Sequence, residues 1–391
     1  MKKKKILYIN KQYRAYDFLK YQTLIEFFDL TVIWICPFRG SDPLPDSLRN
    51  NLRFRLLNFK GNRLRPYHFY SSLKLFMMIL GAGQNVDLII SSTSDAWHSK
   101  IAFLAGRLLK KPTAFRKEVW IGNGSLRKKV LDFMTLFIEK NSNAVFYDGK
   151  KQREFLLANK LSSDRLFPFP RLIKDLKKEQ LDMTFIKDAE AIYKSRLKYL
   201  YLGRIIPQKG LDLLISVFLR LQKDYQGILL FVAGGPAHQG YFKYTSPRYY
   251  EYCRNLAKDS KDIFFWEEVP PAAVHNYYYL ADVFVHPHKK FLDGNKVVYE
   301  GWGNVVVEAA AMELPLIVSD RVPSAFELIE NNRNGMILDS DDLELNLYNA
   351  MKFFLENREK VGEFGKKSRE MYEKFNNPEK LVNSIRAAFL K

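Results

Sequence analysis

Short apolar runs alternate with segments of helical period along this chain, and they do so in two separate series. In the first series the runs are Ile6–Asn10, Leu30–Ile35, Phe54–Phe59, Asp87–Ser91, Thr113–Phe115 and Ala144–Tyr147. Helical patterns such as Ser99–Leu109 and Leu126–Lys140 lie between them. The rhythm restarts after Lys194 with Leu197–Leu202, Gly227–Ala233, Ile263–Trp266, Val283–His286 and Leu316–Ser319. Helices are predicted there over Leu211–Lys223, Pro271–Leu280, Asn304–Glu313 and Leu343–Leu355. A short apolar run followed by a helix is the unit of a parallel sheet covered on both faces. Two such series predict two doubly wound α/β domains, and 391 residues suffice for both.

The boundary is expected in Phe167–Arg196, where Pro168 and Pro170 precede a charged segment without strand signals. The predicted division is a basic N-terminal domain over 1–180, a second domain over 181–375, and a C-terminal helix over 376–391 that packs back on the first. Charge divides at the same place. Residues 1–180 hold 34 basic and 15 acidic side chains and the remainder 28 of each, so the first domain carries the whole formal charge of +19. An anionic partner for that domain follows. Two cysteines, Cys36 and Cys253, make no disulfide framework and suit a reducing, cytoplasmic setting. Behind the basic start Met1–Lys5 only Ile6–Ile9 is apolar, short of the roughly 7–15 residues of a secretory leader. Leu73–Leu80 is interrupted by Lys74 and falls short of the roughly 20 residues of a spanning helix. Neither a cleaved leader nor a membrane span is expected.

Three segments that can carry chemistry each follow a predicted strand. Gly203-Arg204-Ile205-Ile206-Pro207-Gln208-Lys209-Gly210 places Arg204 and Lys209 at a strand mouth, one a planar fork for phosphate oxygens and the other a compact charge. Alone, such a basic loop is more often simply solvated. Ala233-Gly234-Gly235-Pro236 fits a ligand's close approach or a plain tight turn equally well, and no Walker A sequence occurs. Glu300-Gly301-Trp302-Gly303-Asn304-Val305-Val306-Val307-Glu308 sets two glycines before an apolar helix, whose first amides form an anion site that needs no metal. Glu308 lies among valines and alanines, so it is expected to be buried and to need a partner. A carboxylate there suits a vicinal diol.

Together with Glu313-Leu314-Pro315-Leu316-Ile317-Val318-Ser319-Asp320, the Gly203–Gly210 loop and the Glu300/Glu308 pair resemble the retaining GT-B glycosyltransferases of family four, the glycosyl transferases group 1. The resemblance is strong over roughly residues 197–340 and only architectural before that. It implies the GT-B fold, two Rossmann-like doubly wound domains facing each other across a cleft. It also implies roles. Arg204 and Lys209 would hold the donor diphosphate, and Glu300 would bind donor-sugar hydroxyls. The amides of Gly301, Trp302, Gly303, Asn304 and Val305 would lie near sugar and phosphate, and Glu308 would bind the ribose. The segment Trp266–Pro270 stands where the family contacts the base. The implied reaction is metal-independent, retaining transfer of a sugar from a nucleotide-sugar, UDP favoured. Its acceptor would be lipid-linked or a polysaccharide, as in surface glycan or lipopolysaccharide assembly. No cofactor is implied, and the D-x-D Asp339-Ser340-Asp341 is assigned to helix capping rather than metal binding.

The first domain departs from the family. Asn10-Lys11-Gln12-Tyr13-Arg14-Ala15-Tyr16-Asp17 replaces a Gly-Gly loop, and Arg116-Lys117-Glu118-Val119-Trp120 stands where many members carry a histidine. Glu118 is the candidate catalytic polar group on that side, with His98 as runner-up against its ordinary reading as a cap or surface residue. His288–Tyr299 is longer than the family's usual connection, either a donor-sugar lid or a surface loop. Arg49, Arg53, Arg55, Lys60, Arg63, Arg65 and Lys74 interleave with Phe54, Phe59, Tyr67, Phe69, Tyr70 and Phe76. This composition suits an anionic membrane surface, and peripheral attachment to the inner face of the plasma membrane is expected. A soluble transferase with a small or free-glycan acceptor is the alternative. A non-enzymatic nucleic-acid-binding protein is a distant third, and no such motif supports it.

Overall fold

In the computed structural model both series become parallel sheets, each with helices on both faces. The structure describes residues 2–35, 44–56, 69–118, 126–193, 195–237, 245–266, 269–293, 296–298 and 300–390. The chain forms two units, Met1–Lys174 with Asn376–Lys391 and Asp175–Phe375.

The first unit holds β1 (Lys5–Asn10), β2 (Asp29–Trp34), β3 (Arg53–Leu56), β4 (Leu88–Ser91), β5 (Thr113–Lys117), β6 (Ala144–Tyr147) and β7 (Leu166–Pro168), in the order β3-β2-β1-β4-β5-β6-β7. Its helices are α1 (Phe18–Phe27), α2 (Asp46–Asn51), α3 (Phe69–Gly83), α4 (Trp97–Leu108), α5 (Leu126–Asn141) and α6 (Lys150–Ala158). Alternate residues of β1 serve opposite faces, as the pleat requires. Leu7 and Ile9 pack with Leu75 and Ile79 of α3, Ala102 and Ala105 of α4 and Ile138 of α5. Ile6 and Tyr8 pack on the other face with Tyr21 and Leu24 of α1.

The second unit holds β8 (Leu197–Leu202), β9 (Ile228–Ala233), β10 (Ile263–Trp266), β11 (Val283–His286), β14 (Leu316–Ser319) and β15 (Gly335–Leu338), in the order β10-β9-β8-β11-β14-β15. A separate antiparallel pair, β12 (Phe291–Asp293) and β13 (Lys296–Val298), occupies the extended connection after β11. The helices are α7 (Met183–Tyr193), α8 (Leu211–Asp224), α9 (Ser246–Ala257), α10 (Val274–Tyr279), α11 (Asn304–Ala311), α12 (Ala325–Leu328), α13 (Leu343–Glu356) and α14 (Glu359–Phe375). Tyr199, Tyr201, Leu230 and Val285 of the sheet meet Leu214 and Phe218 of α8 and Leu347 and Phe354 of α13 in its core. The chain then returns to the first unit as α15 (Pro378–Ala388), whose Leu381, Val382 and Ile385 join the α1 face.

Strand order reverses between β1 and β4 in one sheet and between β8 and β11 in the other. Those are the points where α/β sheets open a crevice at the carboxyl ends of their strands. Two edge strands escape the sequence reading. β7 has three residues and ends in Pro168, tolerated because an edge residue owes no further ladder bond, and β15 has four and begins at Gly335. The strand predicted over Phe54–Phe59 is described only as Arg53–Leu56. Cys36, Phe59, Lys60, Arg63, Arg65 and Tyr67 lie outside the described residues. No helix among the described residues is long and apolar enough to cross a membrane.

Candidate functional site

The predicted loop after β8 folds so that Lys209 comes to the end of β11. Pro207–Lys209 forms a 3-10 turn closed by Gly210 at φ 68°, and a side chain on Gly210 would collide with the Pro287 carbonyl. That close backbone approach requires glycine. Lys209 Nζ donates to Glu300 Oε2 and lies 3.3 Å from His286 Nε2. Burial disfavours the Glu300 carboxylate, but Lys209 and then the two nearby histidines outweigh it and hold the group at about 2. Glu300 is therefore an ionised hydrogen-bond acceptor at any working pH and no carrier of protons.

His286 and His288 were not singled out from the sequence as members of this group. His286 ends β11 fully buried, its ring stacked near Phe284 (6.1 Å) and Tyr201 (6.4 Å). Burial, reinforced by Lys209, drives its imidazole well below 6.5. Neutral in the Nδ1–H tautomer, it accepts from Lys209 at Nε2 and fixes that ammonium. His288 Nε2 stands 3.9 Å from Glu300, and burial lowers this ring to about 4 against the opposing pull of the carboxylate. Buried His286 Nδ1, both His288 ring nitrogens and Asn304 Oδ1 have no partner among the described residues. Buried polar atoms are ordinarily satisfied by protein or water, so these four are open to a further hydrogen-bond partner.

Arg204 and Glu308 are brought together in a neighbouring cleft of about 640 Å³. Gly203, Gly234 and Pro270 also line it. Arg204 is exposed, and its carbonyl accepts from Tyr201, the same tyrosine that stacks on His286. Tyr278 of α10 donates to Glu308 Oε2 at 2.9 Å, the partner that the sequence context demands. Burial raises the Glu308 carboxyl and the Tyr278 bond works against that rise. One carboxylate oxygen thus holds Tyr278, and the other is left to accept from a ligand hydroxyl. Of the Trp266–Pro270 segment, Val269 and Pro270 line the cleft, and residues 267–268 lie outside the described residues.

The start of α11 joins the two groups. Gly303 has φ 94°, and a side chain there would meet Val322 and Ser324. Gly303→Ala is therefore expected to cost about 1–3 kcal/mol in urea unfolding and to displace the first turn of α11. The amides of Asn304 and Val305 open that turn, where donors lack intrahelical acceptors. Gly301 is exposed with open space around it. Trp302 differs from its neighbours: its ring is buried and stacks on Phe375 at 5.6 Å, and its carbonyl accepts from Ser324.

In the first unit the two candidates fall in different surroundings. His98 is neither a cap nor a surface residue. Ala96 precedes α4 as its cap, and His98 is buried with Nε2 unpartnered among the described residues. Burial, then Lys100 and Lys11, lower it to about 3. Glu118 pairs with Arg116 at 3.3 Å and Arg171 at 3.5 Å. Both arginines also hold the buried Asp148, at 2.5 and 2.7 Å. Lys117 bridges Asp95 and Glu139 nearby. No sequence motif signals these networks.

Asp339-Ser340-Asp341 forms a turn rather than a cap. Asp339 accepts from the Asp341 amide and Ser340 from Arg321, while Asp342 precedes α13 without a side-chain bond to it. Among the described residues no group of three or more His, Cys, Asp or Glu could hold a metal ion.

The profile of Glycosyl transferases group 1 matches residues 182–371. A GDP-mannose-dependent alpha-(1-6)-phosphatidylinositol monomannoside mannosyltransferase of Mycobacterium tuberculosis (strain CDC 1551 / Oshkosh) is 28% identical over 173 residues, 43% of this chain and 41% of that protein. The match thus spans less than half of that relative's length. Over whole chains, a glycosyltransferase from Rickettsia africae ESF-5 superposes with TM-score 0.76 at 14% identity, covering 100% of this chain and 99% of that one. Anabaena Alr3699/HepE in complex with UDP-glucose gives 0.73 at 13%, covering 98% of each. With two Rossmann-type sheets and this match across the second unit, the chain has the GT-B fold and its second unit is a glycosyl transferases group 1 domain.

Proposed function

We propose that this protein is a retaining, metal-independent glycosyltransferase that moves a sugar from a nucleotide-sugar, UDP favoured, to a lipid-linked or polysaccharide acceptor. The carrying observation is the gathering of Arg204, Lys209, Glu300, Glu308 and the α11 N-terminus at the carboxyl ends of β8, β9 and β11. Cleavage of a sugar–diphosphate bond builds negative charge on the departing phosphate. Arg204, Lys209 and the first amides of α11 stabilise that charge without reorganising. Glu300, held ionised, accepts hydrogen bonds from sugar hydroxyls, and Glu308 accepts from the ribose. The UDP-glucose complex of HepE supports a UDP-sugar, and the lipid in the mycobacterial relative's name supports a lipid acceptor. Work at the inner face of the plasma membrane in surface glycan assembly fits both, with the basic first domain toward anionic lipid.

A calorimetric and thermal-shift panel of UDP, GDP, ADP and CMP with their common sugars tests the reading. A nucleotide at about 100 times its Kd is expected to stabilise the fold by about 2.7 kcal/mol, and Glu308→Ala to abolish the shift. Absence of binding by every nucleotide would overturn the reading, and an undiminished shift in Glu308→Ala would remove the ribose role.

A further inference from the structure

Helices α3, α4 and α5 form one layer on a single face of the first sheet, with α4 packed against both neighbours. Their inward residues fill the core, yet each helix also carries an outward apolar pair one turn apart. These are Leu73 and Met77 on α3, Leu104 and Leu108 on α4, and Phe133 and Phe137 on α5, all between 46% and 70% exposed. The rows merge where Phe103 of α4 meets Phe137 at 6.2 Å, with Arg107 over the Phe103 ring at 5.1 Å. Scattered exposed apolar side chains need no explanation, but a row repeated on three adjacent helices does. We propose that this outer face of the α3–α4–α5 layer is a docking surface for an anionic lipid bilayer.

Charge selects the occupant. The three helices carry seven Lys and Arg against Asp132 and Glu139, and Glu139 is buried against Lys117. Exposed Arg107, Lys110 and Lys140 stand at the ends of α4 and α5. Apolar side chains sunk into the acyl boundary, with cations at headgroup level, are how amphipathic helices hold an anionic leaflet. A second copy of this chain would set cation against cation across the same face. The basic and aromatic residues of the 49–76 run are not needed, apart from Leu73 and its neighbours on α3. The inference deepens the membrane part of the proposed function and does not depend on the donor site.

The test is sedimentation of the full chain with phosphatidylcholine vesicles, with and without phosphatidylglycerol, beside a Leu104→Ser, Phe133→Ser, Phe137→Ser triple variant. These three side chains are more than half exposed, so the variant is expected to stay folded, with its melting temperature lowered only slightly by loss of the Phe103–Phe137 contact. The wild type should pellet with the anionic vesicles and much less with the neutral ones. The triple variant should partition at least about tenfold less. Equal pelleting of variant and wild type would overturn this face, as would a wild type that stays in solution with both vesicles. So would a wild-type dimer, seen by analytical ultracentrifugation, that the variant converts to monomer. Nucleotide calorimetry on the same preparations reports separately on the transferase reading: docking without nucleotide binding sinks that reading alone, and the converse sinks only the docking.

Discussion

Lys209→Ala is expected to lose about 3–5 kcal/mol of stability and at least about a hundredfold in the proposed transfer, for separable reasons. The stability loss comes from Glu300. Lys209 is the main influence opposing burial and holding that carboxyl at about 2, so truncation leaves a buried anion without its principal compensating cation. The loss of transfer would come from removing the cation proposed to stand beside the leaving phosphate. A double-mutant cycle separates the two. Glu300→Gln keeps the side chain's shape and removes the undercompensated charge, so Lys209→Ala with Glu300→Gln should recover much of the stability measured by urea unfolding. Turnover should stay at or below the single variant's, because neither the cation nor the carboxylate proposed to bind the sugar returns. If the double variant is no more stable than Lys209→Ala alone, the pair is not what holds this corner together. Near-normal turnover in Lys209→Ala would remove the lysine from the phosphate site.

The parts of this site that were legible from sequence are those fixed by local backbone chemistry. Leu197–Leu202, Ile263–Trp266, Val283–His286 and Leu316–Ser319 are strands with those same bounds, because a strand covered on both faces is written as an unbroken apolar run. The start of α11 was legible because Gly301 and Gly303 flank it, and Glu308 because a lone acid in an apolar helix must find a partner. That partner, Tyr278, lies 30 positions away on α10 and has no local signature. The Lys209–Glu300 pair joins residues 91 positions apart, and only the adjacency of β8 and β11 brings them together. His286 and His288 did leave a signal, two histidines about a proline just past a strand at the switch point. A histidine ending a strand is easily taken for a solvated one, and burial is a property of the packed sheet. The edge strands β7 and β15 and the helix α7 were missed for a different reason. Each is short or charged enough that its partner in space, rather than its own sequence, stabilises it.

The same buried imidazoles predict an acid-sensitive fold. His98 is held at about 3, His288 at about 4, and His286 well below 6.5, each first by burial. Unfolded, all three titrate near 6.5. Between those limits the unfolded chain binds more protons than the native one, so stability rises with pH and falls on acidification. A histidine held well below 6.5 steepens the fall by about 1.4 kcal/mol per pH unit, so at pH 5 His98 and His288 together remove about 4 kcal/mol and His286 adds in the same direction. Glu300 and Asp148, both depressed, add to the loss only once pH drops below the normal carboxylate range. Glu308 and Glu139 are raised, so they gain protons in the native state first and offset part of the fall. The histidine window, from about pH 6.5 down to about 4 for His288 and about 3 for His98, is thus set chiefly by burial of neutral rings. Urea unfolding at pH 7, 6 and 5 should show the decline. His98→Gln, in the first unit, should flatten it by one histidine's share. A decline as steep in His98→Gln as in the wild type would mean that His98 is hydrated and titrates normally. A fold equally stable at pH 5 and 7 would mean that all three rings reach water.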